Sequence, residues 1–334
     1  MTDLPRPRTL RRGSDFVEAG LGDAATIDKV AERYAVAMTP LLAELGPAVA
    51  KQFVPDLREL DTAPEELADP IGDHAHSPVK GIVHRYPDRL LLTPLLHCPV
   101  YCRFCFRRER VGGAEKALSE ADLQAALDYI RANDQVWEVI LTGGDPLMLP
   151  PVKLKALLAE LEAIPHVEII RIHSRIPIAD PERIDAEMVA ALKLQRATLW
   201  IAVHSNHASE FSAPAIAALR RLDGIPLLGQ TVLLKDVNDS AEALEALFRA
   251  MVKHKIKPYY LHHLDLAQGT GHFRTGIEGG QELMRGLRGR ISGLCQPTYV
   301  LDIPGGHGKA PIGPTFWQDG QVTDWQGIDH PYRK

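Results

Sequence analysis

Residues 89–105 read RLLLTPLLHCPVYCRFC, an apolar run that leads directly into three closely spaced cysteines. A short run rich in leucine that ends in turn residues predicts a buried strand, here over Arg89–Leu95. Similar runs along the chain predict five further strands, and Thr298–Ile303 is a candidate for a seventh. The five are Val136–Leu141, Val167–His173, Thr198–His204, Pro226–Leu233 and Lys257–Leu264.

Amphipathic helices are predicted between these strands. In Val152–Ile164 leucines recur at i, i+3, i+4 and i+7, and a second helix is predicted to begin after Ser240, a good N-cap residue. Six β–α units in series imply a parallel sheet with crossover helices, and their number favours an α/β fold with a partial (β/α)6, TIM-like barrel over a closed eightfold barrel. A doubly wound sheet stays open, because it also places ligands at strand ends.

The chain divides into three predicted segments. Apolar residues recur at helical spacing over Asp15–Leu45, and proline, aspartate and glycine become frequent over Pro55–Pro78. We therefore predict an N-terminal helical segment and connector over residues 1–78, the barrel over 79–303, and a C-terminal loop and tail over 304–334.

Charge and composition limit the partners and the compartment. The chain of 334 residues has 38 Lys and Arg against 43 Asp and Glu, a formal net charge of −5, which argues against a nucleic-acid partner. Residues 1–12 carry arginine and proline without an apolar run, so we expect neither a signal peptide nor a membrane partner and predict a cytoplasmic location. Three of the four cysteines lie within eight residues, which favours a metal centre over a disulfide framework.

Nearly every predicted strand ends in a polar side chain or a glycine pair. In a parallel barrel, catalytic residues gather at the carboxyl ends of the strands, so these positions are candidate site residues. In chain order they are His97 and Cys98, Gly143-Gly144-Asp145, His173 and Ser174, His204, Gln230, His263 and Asp265, and Asp302.

The motif Cys98-x3-Cys102-x2-Cys105 follows the first strand directly. Three thiolates can ligate three irons of a [4Fe–4S] cluster and leave the fourth iron open for a small chelating cofactor. A zinc site is the alternative, but structural zinc usually takes four protein ligands, Cys295 is far away in the sequence, and His97 is too close to Cys98 for joint tetrahedral ligation. The cluster is the favoured interpretation.

Two glycine-rich turns follow predicted strands. Residues 141–147 read LTGGDPL, where the glycines let the backbone approach a ligand closely, although such a turn alone is usually only a turn. The loop from Asp302 to Lys309 presents a single lysine. Three interpretations of Lys309 are open. It is a solvated surface residue, or it contacts a phosphate, although the spacing of a Walker motif is absent. In the third, it forms a Schiff base with an aldehyde cofactor such as pyridoxal 5′-phosphate (PLP).

Weaker signals come from one motif before the first strand and from two acids. The motif His84-Arg-Tyr86-Pro-Asp-Arg89 offers a phenol and a guanidinium suited to a phosphate group, or simply surface residues. Asp265 and Asp302 either cap turns or point inward, where two carboxylates would suit a cationic group of a substrate.

In their order along the chain, these motifs resemble the lysine 2,3-aminomutase family of the radical S-adenosylmethionine (SAM) superfamily over residues 16–311. The motifs that carry the resemblance are His84-Arg-Tyr-Pro-Asp-Arg89, Cys98-x3-Cys102-x2-Cys105-Phe-Arg107-Arg108, Thr142-Gly-Gly-Asp-Pro146, Lys257-Pro-Tyr-Tyr260, Gly271-His-Phe-Arg274 and Pro304-Gly-Gly-His-Gly-Lys309. The resemblance implies a partial barrel of the radical SAM type and three cofactors: a [4Fe–4S] cluster, SAM and PLP.

The resemblance also implies a role for each matching residue. The cluster ligands are Cys98, Cys102 and Cys105. Lys309 binds PLP covalently, with Tyr86 and Arg89 at its phosphate. The substrate-binding residues are Arg107 at the carboxylate and Asp265 and Asp302 at the side-chain ammonium. The residues at SAM are Gly143, Gly144, Asp145, His204 and Gln230.

The activity implied is that of an isomerase that interconverts L-lysine and β-lysine, with flavodoxin or ferredoxin as electron donor. Two alternatives stay open: a short-chain relative that supplies β-lysine chemistry for elongation factor P, and an aminomutase for another amino acid such as glutamate. An iron–sulfur electron carrier would leave Lys309 and Arg107 unexplained, and an RNA-modifying enzyme would need a basic surface. The chain ends 25 residues after Lys309, where longer relatives continue and use the extension in assembly, so a homo-oligomer also stays open.

Overall fold

The computed structural model describes residues 8–114 and 117–332. The prediction of a cytoplasmic location uses residues 1–12, and residues 1–7 of that stretch lie outside the described residues. The N-terminal segment predicted as helical contains four short helices, and Gly20, Gly22 and Gly46 in the turns between them have positive φ angles. These helices are α1 (Gly13–Glu18), α2 (Ala24–Ala31), α3 (Pro40–Ala43) and α4 (Pro47–Ala50).

Nine strands form one sheet whose spatial order follows the chain. They are β1 (Ile82–Tyr86), β2 (Arg89–Leu95), β3 (Glu138–Gly143), β4 (Ile169–Ser174), β5 (Thr198–His204), β6 (Leu227–Val232), β7 (Ile256–His262), β8 (Thr298–Ile303) and β9 (Gly308–Pro311). Strands β2 to β8 are parallel, whereas β1 and β9 pair antiparallel at the two edges.

Helical crossovers join each parallel strand to the next. The helices are α5 (Glu120–Ala132), α6 (Pro151–Glu162), α7 (Ile176–Ala179), α8 (Ala186–Ala191), α9 (Ala213–Arg221), α10 (Ala241–Lys253) and α11 (Ile277–Leu287). Their apolar faces pack on the outside of the sheet in one large core. The predicted α/β fold, a partial (β/α)6, TIM-like barrel with Thr298–Ile303 as a seventh strand, is confirmed.

Predicted and observed strand bounds agree at three strands and differ by one or two residues at the others. The start of β3 is two residues later than predicted because Val136 is fully buried in the preceding turn and lengthens the apolar run without joining the ladder. Strands β1 and β9 have no counterpart in the prediction. The sequence of β1 carries His84 and Arg85, and β9 begins inside the glycine-rich loop, so neither has an apolar run.

Helix capping follows the sequence where it was predicted. The Ser240 side chain accepts a hydrogen bond from the N–H of Ala243, which makes it the N-cap of α10. Helix α6 begins and ends within two residues of the predicted Val152–Ile164, and its leucines are buried against the sheet. The N-cap of α10 and the leucine spacing of α6 therefore explain why these two crossover helices form where the sequence predicts them.

The N-terminal helices pack against the cysteine loop. Phe16, Ile27 and Phe53 are fully buried in a cluster that includes Val100 of that loop. The N–H of Tyr101 donates to a carbonyl of the N-terminal segment at 3.0 Å. The segment that precedes the barrel thus holds the cysteine loop from outside.

A small sheet of β10 (Trp317–Gln318), β11 (Gln321–Thr323) and β12 (Asp329–Pro331) follows the barrel. The predicted boundary at residue 303 falls between β8 and β9, which pair with each other, and the division into three segments stays a prediction. Among the described residues, no helix combines the length and the apolar character needed to span a membrane.

Candidate active site

A cavity of about 740 Å³ lies inside the barrel and reaches the carboxyl ends of the strands. Every residue to which the family resemblance gives a role lines it. They are Tyr86, Arg89, Cys98, Cys102, Cys105, Arg107, Gly143, Gly144, Asp145, His204, Gln230, Asp265, Asp302 and Lys309. Of the other strand-end candidates, His173 and Ser174 also line the cavity, whereas His263 is bonded to the Tyr299 hydroxyl and is not among the lining residues. His97 is not among them either, although its backbone borders the site.

The three cysteines lie in the loop between β2 and α5. Burial, followed by the nearby charges of Asp145 and Cys105, raises the pKa of Cys98 well above its usual range. Burial and then the charge of Cys102 raise the pKa of Cys105 to about 11. Thiolates crowded in this way repel one another, so they need metal cations as partners when they ionise together. This donor set fits an iron–sulfur cluster.

The number of donors also separates a cluster from a zinc site. A structural zinc site usually takes four protein ligands, whereas a [4Fe–4S] cluster takes each thiolate on a different iron. The loop offers three cysteines, and Cys295 is buried elsewhere, in the core outside the sheet. The donor set therefore agrees with the cluster predicted from the cysteine spacing.

The glycine pair after β3 lets that strand approach the start of the cysteine loop. Gly143 has a φ angle of +107°, and a Cβ on Gly144 would lie 2.3 Å from the carbonyl oxygen of His97. The N–H of Gly144 donates to the Leu95 carbonyl at 2.8 Å, and the N–H of Asp145 donates to the His97 carbonyl at 3.1 Å. Only a residue without a side chain fits between these backbones.

Gly144→Ala should lower the free energy of unfolding by roughly 1–3 kcal/mol, because the new methyl group meets backbone atoms that cannot move aside. Gly286→Ala is the matched control, since a Cβ on Gly286 has no atom within 4 Å and alanine suits a helix interior better than glycine by about 0.5–1 kcal/mol. Thermal unfolding of both variants checks this. An unchanged melting temperature for Gly144→Ala would contradict the close approach.

The Asp145 carboxylate accepts hydrogen bonds from neighbouring loops. Ser174 Oγ donates at 2.8 Å, and the N–H groups of Arg175 and Leu147 donate at 2.7 and 3.1 Å. Burial raises the pKa of Asp145 to about 6. These hydrogen bonds give the Asp145 side chain a structural role. The contacts of Asp145, Gly143 and Gly144 with SAM stay predictions.

His204 and Gln230 are neighbours across β5 and β6. The Nε2 of His204 is buried and has no hydrogen-bond partner among the described residues. Burial, then the charge of Arg175, lowers the pKa of His204 well below its usual range, so the ring is neutral. A buried ring nitrogen without a partner costs free energy, and a polar ligand in the cavity would supply one. The pair therefore fits the SAM contact predicted for it.

Lys309 lies on β9 opposite Asp302 of β8. Its Nζ bonds to Asp302 and lies 3.3 Å from Nδ1 of His262. Its backbone N–H donates to the Tyr86 hydroxyl at 2.7 Å, and the guanidinium carbon of Arg89 is 3.8 Å from the centre of that ring. A lysine whose backbone contacts a phenol, with a guanidinium over the phenol ring, fits PLP, which has an aldehyde and a phosphate.

The two predicted ammonium-binding acids differ in ionisation. Burial raises the pKa of Asp302, but the hydrogen bond from His262 and the charge of Lys309 outweigh burial and lower it to about 2. Burial and then the charge of Asp302 raise the pKa of Asp265 to about 7. The Oδ1 of Asp265 is buried and has no partner in the described part of the chain. Asp302 therefore binds the ammonium of Lys309, whereas Oδ1 of Asp265 is unpaired among the described residues.

Asp73 is a buried partner of Arg107 without a signal in the sequence. Arg107 donates from Nε and Nη2 to Oδ2 of Asp73 at 3.0 and 2.9 Å, and from Nη1 to Oγ1 of Thr142 at 3.2 Å. Arg85 donates to Oδ1 of Asp73 at 3.3 Å. The connector that contains Asp73 is predicted only as irregular, so its composition does not indicate an ion pair. Two guanidiniums share one carboxylate, which leaves excess positive charge here.

Arg175 lines the cavity and is absent from the sequence prediction. It follows His173 and Ser174 at the end of β4, and this position is the only signal that the sequence offers. Its Nη1 donates to Sγ of Cys102 at 3.0 Å. A charged donor therefore contacts one of the three predicted cluster ligands directly.

Comparison with known proteins gives the family. Residues 92–255 match the model of the radical SAM superfamily. The chain is 42% identical to L-lysine 2,3-aminomutase of Clostridium subterminale over 80% of this chain, and the match spans 65% of the length of that relative. It is 38% identical to L-lysine 2,3-aminomutase of Methanococcus maripaludis over 92% of this chain and 74% of that protein. It is 37% identical to glutamate 2,3-aminomutase of Clostridioides difficile over 79% of this chain and 62% of that protein.

The family model covers the cysteine loop and strands β3 to β6 of the barrel. Members of the family use a [4Fe–4S] cluster, SAM and PLP, so the predicted cofactors are confirmed. The roles of individual residues stay predictions. With 38% identity over 74% of a relative's length, the chain belongs to the lysine 2,3-aminomutase family of the radical SAM superfamily.

Proposed function

We propose that the chain is an isomerase that interconverts L-lysine and β-lysine by moving the amino group between carbons 2 and 3. The observation that carries the proposal is the bond between Asp302 and a primary ammonium, that of Lys309, beside a second buried acid. Both acids line the cavity. The names of two relatives support the same substrate.

Asp265 favours a cationic substrate group. A buried carboxylate without a partner is costly in its charged form, which is why its pKa is raised to about 7. A cation near its unpaired Oδ1 would stabilise the charged form and supply the hydrogen bond. The side-chain ammonium of lysine is such a cation, whereas the side-chain carboxylate of glutamate would meet the like charge of Asp302.

Arg107 favours a substrate carboxylate in another part of the same cavity. It shares the single carboxylate of Asp73 with Arg85, so the three groups carry one net positive charge. Guanidinium groups are suited to carboxylates because their N–H donors form a planar fork. An amino acid with a carboxylate at one end and an ammonium at the other therefore matches both charged parts of the cavity.

The chain's own residues bind, orient and exclude water in this proposal. When bound, the cluster with SAM supplies reversible hydrogen-atom abstraction, and PLP stabilises the migrating nitrogen. The three cysteines would hold the cluster, and Lys309 would hold PLP. Phe104, Val232 and Leu264 line the cavity with apolar surface, which keeps water away from the reacting groups.

The reaction also needs an electron donor. The enzyme would take its electron from flavodoxin or ferredoxin, act in the cytoplasm, and need neither nucleic acid nor a membrane. A homo-oligomer is part of the resemblance and stays a prediction. The second candidate substrate is glutamate, because one relative is named glutamate 2,3-aminomutase. Lysine attached to elongation factor P is the third.

Incubating the anaerobically reconstituted protein with SAM, PLP, a reductant and either amino acid tests the proposal. We expect β-lysine from lysine and only traces of product from glutamate, measured by chromatography of derivatised amino acids. Turnover of glutamate with none of lysine would overturn the proposal. Activity only on a protein-linked lysine would keep the chemistry and assign the enzyme to elongation factor P.

In the same assay, Asp265→Asn and Asp302→Ala should each reduce lysine turnover at least tenfold, because losing one partner of a buried charge pair costs on the order of 2–5 kcal/mol. Asp185→Asn is the matched control. Asp185 caps α8 by accepting from the N–H of Met188 at 2.8 Å, and asparagine caps equally well, so turnover should not change. Wild-type turnover in Asp265→Asn would show that the ammonium binds elsewhere.

A further inference from the structure

Arg175 lies directly after β4, and only 5% of its side chain is exposed. Its Nη1 donates to Sγ of Cys102 at 3.0 Å. Its Nη2 donates to Oε2 of Glu210 at 2.8 Å and to Oε1 of Gln52 at 2.6 Å. One guanidinium therefore joins a cysteine of the cluster loop to two buried acceptors.

The two acceptors are themselves held in place. Gln52 donates from Nε2 to Oε1 of Glu210 at 3.0 Å, and Asn206 donates from Nδ2 to Oε1 of Gln52 at 3.0 Å. The backbone N–H groups of Asn206 and His207 both donate to Oε1 of Glu210 at 3.0 Å. The ring of Phe53 lies 4.6 Å from the guanidinium carbon. Rotating the guanidinium would break several of these bonds, so its Nη1–H stays directed at the sulfur.

The donor at Cys102 differs in kind from the donors at the other two cysteines. At Cys98 and Cys105 the nearby donors are backbone N–H groups, those of Asp145 and Arg107. Those donors belong to the peptide chain. The donor at Cys102 is a side chain, which a substitution can remove while the backbone of the loop is kept.

The ion pair with Glu210 determines how Arg175 acts on the sulfur. Glu210 is completely buried, and its negative charge offsets part of the positive charge of Arg175. Arg175 therefore acts on Cys102 through its remaining charge as well as through the directed N–H. A buried pair is also sensitive to the loss of one partner, which leaves an uncompensated charge. A variant that keeps a cation beside Glu210 is needed for this reason.

We propose that Arg175 is a positioning residue whose Nη1–H, fixed by Glu210 and Gln52, hydrogen-bonds the Cys102 thiolate and makes the cluster easier to reduce. Hydrogen bonds to cysteine sulfur stabilise the more negative, reduced cluster and so raise its reduction potential. The inference rests on the proposed function only in requiring the cluster at the three cysteines. Gln52 follows α4, so the N-terminal segment contributes to the redox centre from outside the barrel.

Two variants separate the hydrogen bond from the charge. Arg175→Met removes every donor, whereas Arg175→Lys keeps a cation beside Glu210 but has a single nitrogen in place of the fork. Each protein is reconstituted anaerobically with iron and sulfide, analysed for iron content, and titrated with redox mediators while the electron paramagnetic resonance signal of the reduced cluster is recorded. Neither SAM nor an amino acid is added.

At the potential where half of the wild-type clusters are reduced, the reduced fraction should be at least twofold lower in Arg175→Met and lowered by less in Arg175→Lys. Arg221→Met is the matched control. Arg221 also donates to carbonyl oxygens, those of Ile184 and Pro181, and in the described part of the chain none of its hydrogen bonds is to a cysteine. Its reduced fraction should equal that of the wild type.

An unchanged potential in Arg175→Met with full iron content, or an equal shift in Arg221→Met, would overturn the inference. If methionine prevents cluster assembly, Arg175→Lys decides, and an unchanged potential in that variant overturns the inference in the same way. Loss of the cluster from both variants would assign Arg175 to cluster retention and refute the redox role. Failure of the proposed function appears separately, as a wild-type protein that binds the cluster but forms no β-lysine.

Discussion

Cys102→Ala is expected to leave the reconstituted protein without a cluster, and Cys98→Ala and Cys105→Ala are expected to do the same. Each variant removes one of the three protein bonds that a [4Fe–4S] cluster would have here. Iron and sulfide should therefore fall to background after anaerobic reconstitution, and SAM cleavage should be lost.

Cys295→Ala is the matched control for this loss. Cys295 is 4% exposed and packs with Leu287 and Tyr299 in the core outside the sheet, away from the cavity. Its replacement should leave iron and sulfide at the wild-type level, with a stability cost of about 1 kcal/mol for the small cavity. Full cluster loading in the Cys102→Ala protein would refute the assignment of the ligands.

The parallel barrel could be predicted because its strands are buried on both faces. Such strands appear as continuous apolar runs, and each polar residue that ends a run marks the rim of the barrel. His204, Gln230 and Asp302 lie at or near the ends of such runs, and all three line the cavity. The contact between Asp302 and Lys309 depends instead on the antiparallel pairing of β8 and β9. The sequence of β9 begins in a glycine-rich loop and has no apolar run, so its pattern does not predict a strand.

The buried ion pairs of the site could not be predicted, because each joins residues that are far apart in the sequence. Asp73 and Arg107 are 34 positions apart, and Arg175 and Glu210 are 35 positions apart. The pattern of an element shows which of its faces is buried, but it does not show which charged groups of different elements meet there. The sequence therefore predicts that these residues lie on the rim, but only the structure shows which charged and polar groups surround them.

Borohydride reduction of the PLP-loaded protein is expected to attach the cofactor permanently to the peptide that contains Lys309. Lys309 lines the cavity, its backbone N–H donates to the Tyr86 hydroxyl, and the guanidinium of Arg89 lies over the Tyr86 ring. Covalent binding needs an unprotonated amine. Burial and the charge of Lys309 lower the pKa of His262, so the ring whose Nδ1 lies 3.3 Å from the lysine nitrogen is neutral. Peptide mass mapping identifies the labelled lysine.

Lys257 is a demanding control, because burial lowers the pKa of its amine and favours its nucleophilic form. Its Nζ donates to the carbonyls of Pro258 and Gln296 at 2.9 and 2.8 Å, and Lys257 is not among the residues that line the cavity. Lys309→Ala should therefore lose the whole label, while Lys257→Ala keeps it. Label on Lys257, or a fully labelled Lys309→Ala protein, would refute the assignment even if activity still required PLP. Intrinsic reactivity would then outweigh position in the cavity, the reverse of what the contacts of the two amines indicate.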